Sequence, residues 1–466
     1  PSAGPTPPTP SRSRDTRESL PRGSTRYEEL LALAAERDTP PDEWAELVAG
    51  EAAFAKGDDD AATRHFDSAL ALASSRRSIE SAASQLDLFA SAGYRSDSAA
   101  SLASRLRTKN APVGRFQSGH LAGPVLLHIS DLHLCDEDGP ALHRFDSDPS
   151  GLSMAEHLLA EFSEAGAFTI DQARLHLVVT GDITWKASDA EFRLARVQLE
   201  KLTEGLGIER RRVHIVPGNH DVNWTLAKDD QTRRFDNYLR FLGEFYGDDL
   251  MRERFADVPW PQTLNDERPT PDCFVGLYVD RDSGVLIATL NSCVYENEQH
   301  HYGYVGQPQL RRLRDQIAQY ASDDLVRVVA LHHHMHPFPE YLQTPPSDEV
   351  WTDVSTVRDA GSVERMLEQL GFDVVLHGHK HRAQARETLL RDPGPLKADP
   401  RRLLVFGAGS VSCIELEHAE PNQYEVLDFL RVPRREDVPF VRVEWRTLQL
   451  SAGAEWITEQ SWEVSG

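Results

Sequence analysis

The chain has few cysteines and no long apolar run. Its four cysteines, Cys135, Cys273, Cys293 and Cys413, lie far apart and form no Cys-x-x-Cys pair, so we predict neither a disulfide framework nor a thiolate zinc site. Reduced thiols are typical of the cytoplasm, where we expect this protein. No apolar stretch is long enough to span a bilayer, and residues 1–26 lack the apolar segment of a secretory signal. We therefore expect no membrane association.

Positive charge is also in deficit. The chain has 50 Lys and Arg against 74 Asp and Glu, which gives a formal charge of −24. This field repels a long polyanion and disfavours binding to extended nucleic acid. Bound metal ions can reverse the sign of the potential within one cleft. A small phosphorylated substrate therefore remains compatible with the charge.

Composition divides the chain into four parts. Residues 1–24 are rich in Pro, Ser, Thr and Arg and predict a disordered arm. Residues 25–109 are Ala-rich with helical periodicity and predict a small all-α domain. Residues 110–123 contain Gly and Pro without periodicity, which is typical of a linker. Residues 124–466 would form the main domain.

Small residues and one aromatic residue recur at regular spacing in the helical part. They are Gly50, Ala53, Gly57, Ala62, Phe66 and Ala69. This spacing resembles a tetratricopeptide repeat, in which small residues lie where two helices touch. The resemblance implies a protein partner bound through residues 25–109. A plain helical bundle explains the same pattern equally well.

From residue 125 onward, short apolar runs alternate with helical stretches. The predicted strands are 125–129, 175–180, 212–216, 285–291, 325–331, 373–376 and 403–408, with two more near residues 424 and 441. The predicted helices are 153–164, 189–206, 307–320 and 362–370. This alternation indicates an α/β fold. Two insertions, near 225–268 and 337–353, interrupt it; we expect the aromatic residues of the first to pack onto the body of the domain.

Five motifs rich in Asp, Asn and His follow these apolar runs. They contribute Asp131 and His133, Asp182, Asn219 and His220, the triplet His332, His333 and His334, and finally His379 and His381. Strand ends are a stiff scaffold for ligands. Residues two apart in an extended segment point to the same side, so Asp131 and His133 could hold the same ion; His379 and His381 are again two apart. The pattern predicts a metal site.

The ordered set of motifs resembles the calcineurin-like metallophosphoesterases over residues 125–412. That resemblance implies a four-layer sandwich, with two mixed β-sheets flanked by helices and preceded by the small all-α domain. It also implies two divalent metal ions. One ion would be held by Asp131, His133, Asp182 and His381, and the other by Asp182, Asn219, His379 and His332. Of the three consecutive histidines we favour His332 over His333 and His334, because it is the first residue after the predicted strand.

Mixed oxygen and nitrogen ligands suit Mn, Fe, Zn or Ni, of which we favour Mn or Fe. By resemblance, Asp182 would bridge the ions, a metal-bridging hydroxide would attack phosphorus in line, and His220 would act as the general acid. The protein-phosphatase branch of the family places a second Asp where this chain has Trp185, and that Asp orients the catalytic histidine. Asp189 and Asp221 are the candidates that could take this role here, and protein phosphatase activity is disfavoured.

The segment that starts at His128, His-Ile-Ser-Asp-Leu-His, is similar to that of bacterial phosphodiesterases acting on cyclic nucleotides and other small diesters. Our leading hypothesis is therefore a phosphoesterase, phosphodiesterase favoured, acting on a small and nucleotide-like ester. One alternative is a metal-dependent nuclease recruited through its helical domain. Another is a catalytically silent repeat scaffold, against which the intact ligand set argues.

Overall fold

The structure is a computed structural model that describes most of the chain. The described residues are 43–72, 76–110, 116–117, 123–136, 145, 151–163, 166–255, 274–297, 301–321, 323–337, 355–390, 401–414, 420–430, 439–449 and 455–465. The predicted arm and nearly all of the second insertion lie outside them. The chain divides into two compact units, Pro1–Val113 and Gly114–Gly466. The domain limits given above stay predictions.

Ten helices and fourteen strands lie in the described ranges. The helices are α1 (Glu43–Ala55), α2 (Asp59–Leu72), α3 (Arg76–Ser91), α4 (Ser96–Asn110), α5 (Met154–Glu161), α6 (Asp189–Leu206), α7 (Trp224–Asp229), α8 (Asp236–Arg254), α9 (Gln307–Ile317) and α10 (Ala360–Gln369). The strands are β1 (Phe116–Gln117), β2 (Val125–Ile129), β3 (Phe168–Thr169), β4 (Leu175–Val179), β5 (Val213–Ile215), β6 (Gly276–Asp280), β7 (Val285–Thr289), β8 (Val326–Ala330), β9 (Val374–His377), β10 (Gln384–Leu390), β11 (Arg401–Gly407), β12 (Gln423–Phe429), β13 (Pro439–Gln449) and β14 (Glu455–Ser465). None of the helices in these ranges has the length and apolarity that a bilayer span requires.

The described part of the N-terminal unit, residues 43–72 and 76–110, is helical, as predicted, and has its own core. Leu47, Phe54, Phe66 and Leu86 are buried together in it. Gly50 lies directly against the ring of Phe66, because a Cβ at position 50 would be 2.6 Å from Phe66 Cε1. The missing side chain lets α1 and α2 approach closely. The tetratricopeptide-like identity of this unit stays a prediction.

Two mixed six-stranded sheets form the second unit. The first sheet has the order β14-β13-β12-β2-β4-β5, and the second has the order β10-β11-β9-β8-β7-β6. Strands β2, β4 and β5 are parallel, as are β7, β8, β9 and β11, whereas the remaining pairs are antiparallel. A separate parallel pair joins β1 and β3.

Alternation along the strands creates the layers. Val285 and Ile287 of β7 pack with Leu126 and Val178 from the first sheet. The intervening Leu286 and Ala288 pack instead with α9 and α10, through Leu310 and Val363 among others. Successive strand residues point to opposite faces, so both faces of the sheet are buried. The outer face of the first sheet is covered by α5, α6 and α8. The predicted four-layer sandwich is confirmed.

The described part of the first insertion, residues 225–255, packs onto this body. As expected, the aromatic residues of this insertion are buried in the core of the first sheet. Phe235 precedes α8, and the others lie within it: Tyr238, Phe241, Phe245 and Tyr246. Several helix boundaries differ from the prediction by up to three residues, and α10 begins at Ala360, two residues before the predicted start. Its N-cap Asp359 accepts hydrogen bonds from the N–H groups of Val305 (3.0 Å) and Gly306 (2.8 Å), and these long-range contacts are absent from local sequence patterns.

Candidate metal centre

The predicted ligands follow five parallel strands. Asp131 comes after β2, Asp182 after β4, Asn219 after β5, His332 after β8 and His379 after β9. Within each sheet these strands run in the same direction. Their carboxyl ends therefore lie at one edge, where the side chains of both sheets converge.

Four side chains form a first group. Potential ligand atoms of Asp131, His133, Asp182 and His381 lie within 4.8 Å of one another. His133 Nε2 is 2.9 Å from His381 Nε2 and 3.8 Å from Asp182 Oδ2. His381 Nε2 is 3.4 Å from Asp131 Oδ1. Two imidazole nitrogens and two carboxylates thus face a common point.

A second group shares one member with the first. Asp182, His332 and His379 also have potential ligand atoms within 4.8 Å of one another. Asn219 Oδ1 joins them, at 3.0 Å from His332 Nε2 and 2.9 Å from His379 Nδ1. Asp182 Oδ2 is 3.4 Å from His332 Nε2. Asp182 therefore lies between the two groups, and this set of oxygen and nitrogen donors fits a pair of divalent ions.

The three consecutive histidines have different surroundings. His332 is the one whose Nε2 faces Asp182 and Asn219. His333 Nδ1 lies 2.9 Å from the hydroxyl of Ser292, and its main-chain N–H donates to the same hydroxyl. His334 stacks on the outside of His379, with ring centroids 5.7 Å apart. This placement favours His332 as the ligand, and the ligand assignments as a whole stay predictions.

The backbone at these residues is unusual. Among the described residues, seven other than glycine have a left-handed φ, and five of them are predicted ligands: Asp131 (53°), His133 (49°), Asp182 (50°), His379 (77°) and His381 (52°). The expectation that each pair lies in an extended segment is therefore wrong. The chain turns sharply at each residue of the two pairs and at Asp182. Such conformations cost about 1–3 kcal/mol each and concentrate at functional sites.

Main-chain contacts between the motifs hold this geometry. The N–H of Asp131 donates to Gly181 O (3.0 Å), and the N–H of His133 donates to Asp182 O (2.9 Å). A Cβ at Gly218 would lie 2.1 Å from Asp182 Oδ1. A residue with a side chain at position 218 would therefore displace the shared carboxylate.

The site charges are strongly coupled. Burial opposes ionisation of Asp182, yet the imidazoles of His332 and His220 hold the pKa of this carboxyl well below its usual range. Burial lowers the pKa of His133 to about 3. Burial acts in the same direction on His332, but the carboxylate of Asp182 outweighs it and raises that pKa to about 9. Metal binding through His332 must therefore displace a proton.

Asp221 holds two ligand loops together. Its buried carboxylate accepts hydrogen bonds from the N–H groups of Gly218 (2.9 Å), Ile183 (3.2 Å) and Thr184 (3.0 Å) and from the hydroxyl of Thr184 (2.9 Å). Burial and the nearby Asp182 raise the pKa of Asp221 to about 6. Its role is to position main chain; it does not take the place of the missing orienting carboxylate.

His220 contacts both the main chain and the side chain of Trp185. His220 Nδ1 lies 2.9 Å from the main-chain carbonyl oxygen of Trp185, and the two rings stack with centroids 4.6 Å apart at an angle of 20°. Asp189, the other candidate, forms an ion pair with Arg240 at the surface. Sequence reasoning missed these contacts of Trp185, because a main-chain carbonyl leaves no signature in the side-chain pattern.

The chain matches the family described as Calcineurin-like phosphoesterase over residues 124–383, more than half of its length. No curated protein matches it. Among solved structures, a dimetal phosphatase from Danio rerio is 13% identical with a TM-score of 0.37, covering 72% of this chain and 98% of that one. A structure of PhoD is 10% identical with a TM-score of 0.42, covering 75% of this chain and 71% of that one. A putative 5′-nucleotidase from Staphylococcus aureus is 14% identical with a TM-score of 0.29, covering 73% and 54%. The family match makes this chain a member of the calcineurin-like phosphoesterases.

Proposed function

We propose that this protein is a dinuclear metal-dependent phosphoesterase that hydrolyses a small, nucleotide-like ester, with diesters preferred. The observation that carries the proposal is the position of Asp182, whose Oδ2 lies 3.8 Å from His133 Nε2 and 3.4 Å from His332 Nε2. One carboxylate facing both donor groups suits two ions that share a ligand. Two such ions, about 4 Å apart in comparable sites, would bind the phosphoryl oxygens and lower the pKa of a coordinated water.

The chain supplies the ligands in two sets. Asp131, His133, Asp182 and His381 would hold one ion, and Asp182, Asn219, His332 and His379 would hold the other. Both sets combine carboxylate or amide oxygen with imidazole nitrogen, which suits Mn, Fe, Zn or Ni. We favour Mn or Fe.

His220 would act as the general acid. Its ring lies edge-on to His133, with centroids 4.8 Å apart, which places it beside the first group of donors. A proton from this imidazole would go to the departing oxygen as its bond to phosphorus breaks. General acid catalysis is typically worth roughly 10²–10⁴ in rate.

Charge supports a small substrate. The net charge of −24 opposes a long polyanion, whereas the donor groups attract a compact phosphate only when they hold cations.

We further propose a cytoplasmic location and a protein partner for the helical unit. Protein phosphatase activity is disfavoured, because the orienting carboxylate of that branch is replaced by Trp185.

Hydrolysis of chromogenic esters by the metal-loaded protein tests the proposal. The substrates are bis-p-nitrophenyl phosphate and p-nitrophenyl phosphate, and the metal content is measured in parallel. Asp182→Asn removes the shared charge and should abolish turnover together with metal binding. Asp189→Asn, seven residues along at the surface, is the matched control and should leave both intact.

Three outcomes would redirect the proposal. Faster turnover of the monoester would replace the diester preference. Metals bound without turnover of either ester would require a narrower substrate, to be sought among cyclic and linear nucleotides and then DNA. Neither metal nor turnover would overturn the proposal in favour of a silent scaffold.

A further inference from the structure

We infer that Trp185 is a positioning residue that holds His220 in the orientation needed to protonate the leaving group. The inference rests on the proposed function and adds a residue to it. Trp185 makes two main-chain hydrogen bonds, and its indole stacks on the ring of His220. These contacts leave one ring nitrogen of His220 available.

The main chain of Trp185 connects a metal-ligand loop to the candidate acid. Its N–H donates to the carbonyl of Leu134, one residue beyond His133, at 3.1 Å. Its own carbonyl faces His220 Nδ1 at 2.9 Å. The position of the His220 ring is therefore tied to the loop that carries His133.

The indole fixes the plane of the same ring. It stacks on His220 at 4.6 Å and 20°, and it meets His133 edge-on at 5.7 Å and 62°. His133 in turn contacts the edge of His220 at 4.8 Å and 80°. Rotation of the His220 ring would break the stack and the hydrogen bond together, so both contacts oppose it.

The hydrogen bond to Trp185 occupies Nδ1 of His220 and leaves Nε2 available for the substrate. Nδ1 must carry a hydrogen to donate to the carbonyl of Trp185. Nε2 is then the atom of His220 that can exchange a proton with substrate. As the bond from phosphorus to the leaving oxygen breaks, its electron pair takes the proton from Nε2. The attacking water supplies the new oxygen on phosphorus; one of its protons stays on the product phosphate and the other is released to solvent.

A neutral carbonyl orients the imidazole with a single acceptor atom. A carboxylate would add a second acceptor oxygen and a negative charge, and here the stacked indole supplies the second constraint instead. Misplacement of a catalytic group by about 1 Å can cost roughly 10²-fold in rate. Loss of the indole should therefore impair those reactions that need the proton.

Leaving-group dependence distinguishes positioning of an acid from general support of the fold. The probes are methyl p-nitrophenyl phosphate, whose leaving group departs readily as an anion, and methyl phenyl phosphate, whose leaving group needs protonation. We expect Trp185→Ala to slow the phenyl ester by about 10–100-fold and the nitrophenyl ester by less than about threefold. Trp185→Phe keeps a stacking ring and should recover most of the loss.

Trp445→Ala is the matched control. Trp445 is also half-buried and packs edge-on against Trp462 at 4.8 Å, on β13 rather than in a ligand loop. Its removal should lower the thermal stability and leave the ratio of the two rates unchanged. An equal loss on both esters in Trp185→Ala, no loss on either, or no recovery in Trp185→Phe would overturn the inference.

A readout independent of turnover separates this inference from the proposed function. In the ¹⁵N-histidine-labelled, Zn²⁺-loaded protein, the Nδ1–H signal of His220 is identified by its disappearance in His220→Gln. We expect a slowly exchanging signal in the wild type and in Trp185→Phe, and its loss in Trp185→Ala. A signal unchanged in Trp185→Ala would overturn the positioning role, whereas failure of the wild type to hydrolyse any ester would overturn only the proposed function.

Discussion

The imidazoles of His332 and His379 face each other across Asn219, with 3.2 Å between His332 Nε2 and His379 Nδ1. Both nitrogens also lie within hydrogen-bonding distance of Asn219 Oδ1. Each of these short contacts has room for only one proton. A cation at the centre would satisfy all three ligand atoms, His332 Nε2, His379 Nδ1 and Asn219 Oδ1, better than the protein does alone. This relationship distinguishes His332 from the two histidines that follow it.

We predict that His332→Asn lowers the metal content from two ions to one and reduces phosphodiester turnover by at least about 10²-fold, since two-metal catalysis needs both ions. His334→Gln is the control, because the ring of His334 stacks outside the second group. It should keep two ions. Metal analysis of both purified variants decides the matter, and metal loss in His334→Gln alone would reassign the ligand.

Replacement of Asp221 by Asn should loosen the centre without removing a ligand. The amide would turn one N–H₂ group toward main-chain N–H donors that now point at a carboxylate, which leaves buried donors unpaired at a cost of about 1–3 kcal/mol. We expect a lower melting temperature and a metal affinity reduced by roughly 10–100-fold.

The control for this variant is Asp171→Asn. Asp171 is exposed and caps a short helical turn by accepting from the N–H of Ala173 at 3.0 Å. Asn serves as well as Asp in such a cap. Equal effects of the two substitutions would show that Asp221 has no special role in joining the ligand loops.

His176 on β4 and His214 on β5 belong to a row of buried, hydrogen-bonded polar side chains away from the metal-ligand loops. This row makes the stability of the fold depend on pH. His176 Nδ1 is 3.3 Å from His214 Nε2, and His176 Nε2 is 3.3 Å from the hydroxyl of Ser283 and 3.8 Å from Asp280 Oδ2. Arg254 donates to His214 Nδ1 at 2.9 Å. Burial lowers the pKa of His176 to about 3, and burial together with Arg254 holds the pKa of His214 well below its usual range.

We predict that the free energy of unfolding decreases as the pH falls below 6.5. The histidines of the unfolded chain then bind protons, whereas the buried His176 and His214 of the folded chain do not. For His176 the loss continues down to about pH 3 and amounts to about 2 kcal/mol between pH 6.5 and pH 5. His176→Asn should be less stable at pH 7 yet show a shallower pH dependence. Thermal unfolding at several pH values measures both, and an unchanged slope would contradict the assignment.

Gly50 in α1 allows a test of packing in the N-terminal unit, and Gly243 in α8 of the second unit serves as its comparison. A Cβ at Gly50 would lie 2.6 Å from the ring of Phe66, whereas a Cβ at Gly243 in α8 would meet no atom within 4 Å. Gly50→Ala should therefore destabilise the N-terminal unit despite the better helix propensity of Ala. Gly243→Ala should be neutral or stabilising by up to about 1 kcal/mol. Calorimetry of both variants, with esterase turnover as a second readout, checks the contrast; turnover should be unaffected in each.

Local patterns were sufficient for much of the architecture. The apolar run 125–129 became β2 at its predicted bounds, and α6 formed over Asp189–Leu206 as predicted. Burial on both faces demands uninterrupted apolar residues in a central strand, and amphipathic periodicity marks a helix that covers a sheet. Local patterns failed at α10, where the N-cap Asp359 makes its hydrogen bonds to residues more than fifty positions away.

The sequence by itself determined which residues could bind metal, because the chemistry of Asp, Asn and His and their place after strands are local properties. The tertiary structure decided how they meet. The left-handed turns at five of the predicted ligands, the position of Asp182 between the two groups, the proximity of His332 to Asp182 and the carbonyl that faces His220 all arise from contacts between segments that are distant in the chain. Short-range preferences oppose a left-handed turn at most of these residues, and main-chain hydrogen bonds between the motifs hold the turns in place.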